Sequence, residues 1–268
     1  MSFRKPDGVA VITGASSGIG AAFAEQLASE GYPLLLVARR KDRLDQAAAD
    51  LSARHGVKVE TLVADLVDPE GLAGLEARLR AGGVAMLVNN AGVGGLGPTA
   101  ASTPDKMQDL IRLNIVALTR LSHAALEGFR KAGAGVLVNL GSVIAFAPSA
   151  GGAVYSGTKA YVLNFTRSLQ MEYVGSDIRI QVLMPGPIRT EFFSSQGLSD
   201  AIFPEESFLS AEQLVAAALA GLAKGETVTT PTLANSETWD AMEAARGRYM
   251  SEVVSGAVAP RYLGPAES

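Results

Sequence analysis

The chain has 268 residues, of which none is cysteine and two are histidine; this excludes disulfide frameworks and thiolate metal sites and leaves too few imidazoles for a histidine-based metal cluster. The formal net charge of −4 provides no overall basic surface of the kind that duplex nucleic acids require. The longest apolar stretch, residues 214–223, is far shorter than the roughly 20 residues that span a membrane, and no signal-like run follows residues 1–8, so we expect a cytoplasmic protein.

Short apolar runs alternate along the chain with longer segments of helical periodicity. The short runs are apolar on both faces, which is typical of parallel strands buried between two layers of helices. The alternation predicts a single doubly wound α/β domain of the Rossmann type, with a seven-stranded parallel sheet and ligands bound beyond the carboxyl ends of its strands. The predicted strands cover residues 9–13, 34–38, 57–64, 85–89, 136–140, 178–184 and 226–230, and the predicted helices include 21–30, 43–55, 70–80, 104–130 and 154–173.

The first predicted strand ends in a glycine-rich segment, TGASSGIG at residues 13–20, which leads directly into a helix. Gly14 permits a tight turn, Gly18 leaves the backbone open to a phosphate, and Gly20 lets the helix approach the sheet closely. The free N–H groups and positive dipole end of that helix would attract an anion. The alternative is a glycine-rich turn that binds no ligand. The position of the segment between a strand and a helix argues against this alternative. The predicted phosphate-binding residues are Gly14, Ser16, Ser17, Gly18, Ile19 and Gly20.

The second predicted strand ends in two arginines, Arg39 and Arg40. Ala38 stands where an NAD site usually places the acidic residue that holds the ribose 2′-hydroxyl. A guanidinium suits a 2′-phosphate instead, so we expect NADP(H) to be preferred over NAD(H). The alternative is that these arginines, with Lys41 and Arg43, form a solvated helix start, although basic residues gain nothing from the dipole there.

The predicted helix 154–173 carries Tyr155 and Lys159, which lie four residues apart and therefore share one face. A nearby ammonium, together with an oxidised nicotinamide, would lower the pKa of the tyrosine from about 10 toward neutrality and make it a general acid or base. Ser142 follows the fifth strand, where its hydroxyl could donate a hydrogen bond to a substrate oxygen. In the alternative interpretation, Tyr155 packs in the core and Lys159 reaches solvent.

At these positions the sequence resembles the classical short-chain dehydrogenases/reductases over residues 8–230. The TGASSGIG segment has their glycine spacing, and further motifs follow in the order of that family. These motifs are Asp65-Leu66, Asn89-Asn90-Ala91-Gly92, Asn114, Ser142, Tyr155-x3-Lys159 and residues 185–190, PGPIRT.

The resemblance implies a role for each matched position. Ser142 would hold the substrate carbonyl, Tyr155 would transfer the proton, Lys159 would bind the nicotinamide ribose, and Asn114 would anchor a water that relays protons to Lys159. The family commonly forms dimers and tetramers, so the resemblance implies a homo-oligomer built on the helices 104–130 and 153–173. Further cofactor contacts would come from Asp65, Leu66, Asn90, Ala91, Gly92, Pro185, Gly186, Ile188 and Thr190.

The segment 191–209 carries four phenylalanines and does not have the pattern of one stable helix. It follows the sixth strand, so we expect a mobile substrate lid that closes apolar surface over the site; ordinary packing is the alternative. Residues 232–268 match nothing in the family, and their helical pattern could cover the same opening or another subunit. The residues expected to complete an apolar wall are Val93, Leu96, Val143, Ile144 and Phe146.

These expectations predict an NADP(H)-dependent oxidoreductase that interconverts an apolar ketone or aldehyde and its alcohol, with no metal. Two alternatives remain open. A non-catalytic NADP(H) sensor or scaffold would have no need of the four catalytic residues together. Sugar epimerisation or dehydration on the same fold is disfavoured by the short chain and by the glycine spacing.

Overall fold

The computed structural model describes residues 6–197, 199, 203–254 and 256–263, and its centre is a seven-stranded sheet in which all neighbours are parallel. The doubly wound parallel sheet predicted from the sequence is confirmed. The strands are Val9–Thr13 (β1), Leu34–Ala38 (β2), Val59–Val63 (β3), Val84–Asn89 (β4), Ala134–Leu140 (β5), Asp177–Leu183 (β6), Ile188–Arg189 (β7), Leu209–Ser210 (β8) and Val228–Thr229 (β9). The main sheet has the order β3-β2-β1-β4-β5-β6-β9, and β7 and β8 pair separately.

Some of the helices begin at residues whose side chains cap them. Asp68 accepts a hydrogen bond from the Gly71 amide at 2.9 Å, and Ser210 forms a reciprocal capping box with Gln213, so two helices begin where unpaired N–H groups are satisfied. The helices are Gly18–Ser29 (α1), Lys41–His55 (α2), Pro69–Arg80 (α3), Pro104–Ile111 (α4), Leu118–Ala132 (α5), Ala153–Glu172 (α6), Ala211–Lys224 (α7) and Glu237–Val253 (α8).

Helices cover both faces of the sheet. Ile12 of β1 lies in one core cluster with Phe23 of α1 and with residues of α2 and α7. Its neighbour Val11 lies in a second cluster with Leu75 of α3 and with residues of α5. Because successive strand residues point to opposite faces, this division explains why the strands read as continuous apolar runs in the sequence.

The strand order reverses between β1 and β4, which places β1 beside both β2 and β4. In such sheets the loops beyond the carboxyl ends diverge at the reversal and leave a crevice. The loops that follow Thr13 of β1 and Asn89 of β4 flank this crevice. The fold therefore puts the glycine-rich turn where a ligand can bind.

Most predicted elements have bounds one to three residues away from those in the structure, and one predicted helix is interrupted. The predicted strand 57–64 is shorter and spans Val59–Val63, and the seventh strand contains only Val228–Thr229. The predicted helix 104–130 is interrupted by a π-helical turn at Arg112–Ala117 that separates α4 from α5. Apolar periodicity does not distinguish a π turn from the α-helix around it, so the sequence could not show the interruption.

The described residues fall into two compact units, one that ends at Pro231 and one that begins at Thr232. The second unit contains α8, in which no residue is buried, and a short 3₁₀ turn at Pro260–Tyr262. Among the helices of the described ranges, none combines the length and apolarity needed to cross a membrane.

A buried carboxylate joins α3 to α5. Glu76 is 5% exposed and accepts hydrogen bonds from Arg120, with one Nη2 to Oε2 distance of 3.0 Å, and from Arg80 at 3.3 Å. The hydrogen bond from Arg120 is the main reason that the pKa of Glu76 lies below its ordinary value. A lowered folded-state pKa means that this carboxylate stabilises the fold above its unfolded-state pKa and loses that effect as the pH falls through the folded-state value.

We therefore expect Glu76→Gln to reduce the free energy of unfolding at pH 7 by about 1.5–3 kcal/mol, the range for a hydrogen bond to a charged group. Denaturant titrations of both proteins at pH 7 and at successively more acidic pH should show this difference shrinking. A difference that stayed constant down to strongly acidic pH would contradict the role of the ionised carboxylate.

Candidate active site

The carboxyl ends of the central strands open into a cleft of about 810 Å³. All but two of the residues predicted to bind cofactor or to act in catalysis line it, the exceptions being Gly20 and Asn114. The predicted residues that line the cleft are Gly14, Ser16, Ser17, Gly18, Ile19, Arg39, Arg40, Asp65, Leu66, Asn90, Ala91, Gly92, Ser142, Tyr155, Lys159, Pro185, Gly186, Ile188 and Thr190.

The glycine-rich turn has the backbone that an anion site needs. Gly14 and Gly18 have φ angles of 68° and 54°, a region that residues with a side chain rarely adopt. Ser17 stands at the N-cap of α1 without a side-chain capping hydrogen bond, and the first turn of α1 contains no acidic residue. The first N–H groups and the positive end of the helix dipole are therefore free to receive a phosphate. This cradle fits the pyrophosphate of a dinucleotide.

Gly20 serves packing beneath the turn. A Cβ at Gly20 would overlap the Gly14 carbonyl oxygen and lie 2.6 Å from Asn90 Nδ2. Asn90 Nδ2 donates to the Thr13 carbonyl at 2.8 Å, and Thr13 Oγ1 accepts the amide N–H groups of Asn90 and Ala91, both at 3.0 Å. Thr13 and Asn90 thus tie the end of β1 to the end of β4. The sequence prediction quoted Thr13 in the motif but assigned it no role.

Helix α6 brings Tyr155 and Lys159 to the cleft floor opposite Ser142. Lys159 is 7% exposed; its Nζ donates to the Leu140 carbonyl at 2.8 Å and lies 5.8 Å from the centroid of the Tyr155 ring. The Ser142 hydroxyl donates to the Pro185 carbonyl at 3.4 Å and hydrogen bonds with the Tyr155 side chain. The three residues therefore line the same part of the cleft.

Burial dominates the protonation of Tyr155 and Lys159 in the protein without cofactor. Burial raises the pKa of Tyr155 to about 12, against the lowering effect of its hydrogen bond with Ser142. Burial also lowers the pKa of Lys159 to about 8. The expected lowering of the tyrosine pKa involves Lys159 together with an oxidised nicotinamide, so for the cofactor-bound protein it stays a prediction. The ammonium hydrogen bonds to a backbone carbonyl, and removal from water is the larger effect on the phenol.

Asn114 lies in the π-helical turn and is 2% exposed. Its Oδ1 accepts from the Val93 amide at 3.0 Å, and its Nδ2 donates to the Val93 carbonyl at 2.9 Å and to Thr158 Oγ1 at 3.2 Å. The side chain therefore joins the loop after β4 to the residue before Lys159 in α6. The Asn114 side chain does not line the cleft, because its polar atoms already hydrogen bond with Val93 and Thr158. Its part in a proton relay stays a prediction.

The two arginines after β2 differ in their contacts. The Arg39 side chain is 70% exposed, and its Nη1 lies 3.8 Å from Asp65 Oδ2. The Arg40 guanidinium instead lies on the glycine-rich turn, where Nη2 donates to Ser16 Oγ at 3.0 Å and to Ser17 Oγ at 2.7 Å. Both arginines line the cleft, and the Arg40 guanidinium lies on the turn itself.

The predicted lid is partly described, since residues 198 and 200–202 lie outside the described residues. The Phe192 ring lies 5.8 Å from that of Tyr155, and Phe193 contacts Phe192, Phe203 and Phe208 at centroid distances of 5.4, 5.7 and 6.2 Å. The pairing of β7 with β8 fixes the base of the segment. An aromatic cluster thus extends outward from the tyrosine.

The predicted apolar wall is largely present. Val93, Leu96, Val143 and Ile144 line the cleft. Phe146 does not; it packs against the core cluster around Leu118 and Val162, because the 3₁₀ turn at Val143–Ala145 carries it past the opening. The prediction for Phe146 was wrong.

Comparison with known proteins agrees with this geometry. The short chain dehydrogenase family model matches residues 8–200. Sulfoacetaldehyde reductase 2 of Chromohalobacter salexigens is 37% identical over 219 residues, which are 77% of this chain and 84% of that protein. A short-chain dehydrogenase from Sphingobium yanoikuyae in complex with NADPH has a TM-score of 0.91 at 43% identity, covering 95% of this chain and 100% of that one. The bulky-bulky ketone specific alcohol dehydrogenase from Comamonas testosteroni has a TM-score of 0.87 at 38% identity, covering 96% and 99%. The chain belongs to the short-chain dehydrogenase family.

Proposed function

We propose that the protein reduces apolar ketones or aldehydes with NADPH, or oxidises the matching alcohols with NADP⁺. The observation that carries the proposal is the convergence of Ser142, Tyr155 and Lys159 in the cleft that the glycine-rich turn also lines. With the pyrophosphate of the cofactor held at the turn, its nicotinamide would supply or accept the hydride. The protein would contribute binding, orientation and the proton.

Each catalytic residue has a distinct part. A pKa of about 12 keeps the Tyr155 phenol protonated at neutral pH, which is the form that donates a proton to a reduced carbonyl oxygen. Ser142, hydrogen bonded to the tyrosine, orients the same oxygen. Lys159, which donates a hydrogen bond to the Leu140 carbonyl, would hold the nicotinamide ribose. It would also exchange protons with a water near Asn114. Asn114 would hold the loop after β4 in a fixed position against helix α6.

The experiment that tests the proposal follows the loss of NADPH absorbance with a panel of carbonyl compounds. Turnover of apolar ketones is expected, with little activity on small polar ones. Tight NADPH binding without turnover of any compound would favour the non-catalytic sensor or scaffold instead.

The proposed preference for NADP(H) predicts a specific defect on loss of Arg39. Its exposed guanidinium would bind the 2′-phosphate, and a charge-assisted hydrogen bond contributes roughly 1.5–3 kcal/mol. Arg39→Ala should therefore weaken NADPH binding by about tenfold or more and change NADH binding little. Dissociation constants from cofactor fluorescence measure both.

Arg54→Ala is the matched control, because Arg54 pairs with Glu25 and does not line the cleft, yet its loss changes the net charge equally. It should leave both cofactors unaffected. Equal weakening of NADPH and NADH by Arg39→Ala would show that Arg39 does not bind the 2′-phosphate.

The proposed substrate class predicts that kcat/KM rises along a series of ketones with growing alkyl or aryl groups. Each additional buried group of side-chain size would contribute roughly 1.5–3 kcal/mol. Phe192, beside Tyr155, should provide part of this contact, so Phe192→Ala should flatten the series. Phe208→Ala removes a ring of the same cluster that does not line the cleft, and it should keep the slope. A flat series for the unmodified protein would contradict an apolar site.

A further inference from the structure

A carboxylate from the far half of the chain meets the basic residues after β2. Glu191 Oε2 accepts from Arg40 Nη1 at 3.1 Å, and both carboxylate oxygens accept from Arg43 Nη1, at 3.0 and 3.1 Å. About 150 residues separate the partners, so no local chain geometry forces this contact. The carboxylate is held between two guanidinium groups.

This ion-pair cluster lies at the glycine-rich turn. Arg40 donates to Ser16 and Ser17 with the same guanidinium that pairs with Glu191. Thr190, the residue before Glu191, lies directly over Gly18, since a Cβ there would be 3.0 Å from Thr190 Cγ2. Arg40 and Glu191 both line the cleft. The carboxylate of Glu191 thus occupies guanidinium N–H groups beside the turn, where an anionic ligand would need them.

The anion that would compete with Glu191 is a phosphate group of the cofactor. NADPH and NADH share the pyrophosphate, and only NADPH carries a further phosphate on the adenosine ribose. We propose that Glu191 is a specificity-determining residue that competes with the 2′-phosphate for Arg40 and Arg43 and so limits the preference for NADP(H). This inference rests on the proposed function. A 2′-phosphate is negatively charged and would have to displace the Glu191 carboxylate from the two guanidinium groups. A 2′-hydroxyl is neutral and does not compete for them.

Glu191→Gln tests the competition, because it keeps the size of the side chain and removes the charge. The probes are adenosine 2′,5′-bisphosphate and 5′-AMP, measured by calorimetry on the protein without nicotinamide, and then NADPH and NADH. Exposed ion pairs change equilibrium constants modestly, so the variant should bind the bisphosphate and NADPH about 2- to 5-fold more tightly. The affinities for 5′-AMP and NADH should change less than about twofold.

Glu205→Gln is the matched control. Glu205 lies on the same segment and is exposed, but it pairs with Arg189. Its loss should change none of the four affinities, although the net charge changes equally.

The outcomes separate the inference from the proposed function. Weaker binding or equal changes for all four probes in Glu191→Gln would overturn the inference, because Glu191 would then shape the cleft without selecting the phosphate. The ratio of bisphosphate to 5′-AMP affinity in the unmodified protein tests the cofactor preference alone. If that ratio were near one and rose in the variant, the competition would be supported and the proposed NADP(H) preference contradicted.

Discussion

Tyr155→Phe is expected to reduce kcat for carbonyl reduction by about 10²–10⁴-fold, the usual contribution of general acid–base catalysis. The substitution removes only the hydroxyl that hydrogen bonds with Ser142. The ring, which packs 5.8 Å from that of Phe192, is retained. NADPH affinity should therefore stay close to that of the unmodified protein. Steady-state kinetics with the best ketone and a separate cofactor titration measure the two quantities.

Tyr161→Phe is the matched control for this experiment. Tyr161 lies on the same helix, and its hydroxyl forms a 2.9 Å hydrogen bond with Thr119 Oγ1 away from the cleft. Losing that hydroxyl should cost stability of the order of one hydrogen bond, about 0.5–1.5 kcal/mol, and leave kcat within a small factor. If Tyr155→Phe kept turnover similar to that of Tyr161→Phe, the proton donor would have to be another group.

The features that the sequence predicted well are those in which a local pattern has one structural meaning. Apolar runs such as that in β2 indicate strands covered on both faces. The spacing of Gly14, Gly18 and Gly20 between strand and helix indicates a tight turn that leads directly into α1. The four-residue spacing of Tyr155 and Lys159 places both on one face of α6. Each of these inferences depends on backbone geometry within a few residues.

The features that the sequence did not predict depend on contacts between distant segments. Glu191 meets Arg40 and Arg43 only because the segment after β7 lies against the start of α2. The direction of the Tyr155 pKa shift depends on how much water the assembled cleft excludes. Asn114 appeared as one polar residue in a regular helix, whereas its three hydrogen bonds join segments that are far apart in the chain.

For Gly20, the sequence motif and the contacts in the structure lead to the same conclusion. Its substitution should strongly affect cofactor binding and stability. The motif marks it for close approach of helix and sheet, and the structure identifies the atoms involved. A methyl group at this position would overlap the Gly14 carbonyl and crowd Asn90 Nδ2 at 2.6 Å. Both neighbours belong to the scaffold of the turn, because the Asn90 amide is held by Thr13. The turn would have to move to relieve the overlap.

We therefore expect Gly20→Ala to weaken the binding of both NADPH and NADH and to lower turnover by on the order of 100-fold, since a misplacement of about 1 Å can cost that much in rate. Overpacking should also lower the free energy of unfolding by about 1–3 kcal/mol. Gly74→Ala is the matched control: Gly74 lies within α3 with no atom within 4 Å of its Cβ position, so alanine should stabilise that helix by up to about 1 kcal/mol. Cofactor titrations and denaturant unfolding of both variants distinguish the cases. If Gly20→Ala bound both cofactors as tightly as Gly74→Ala, the close packing beneath the turn would not be what positions the phosphate site.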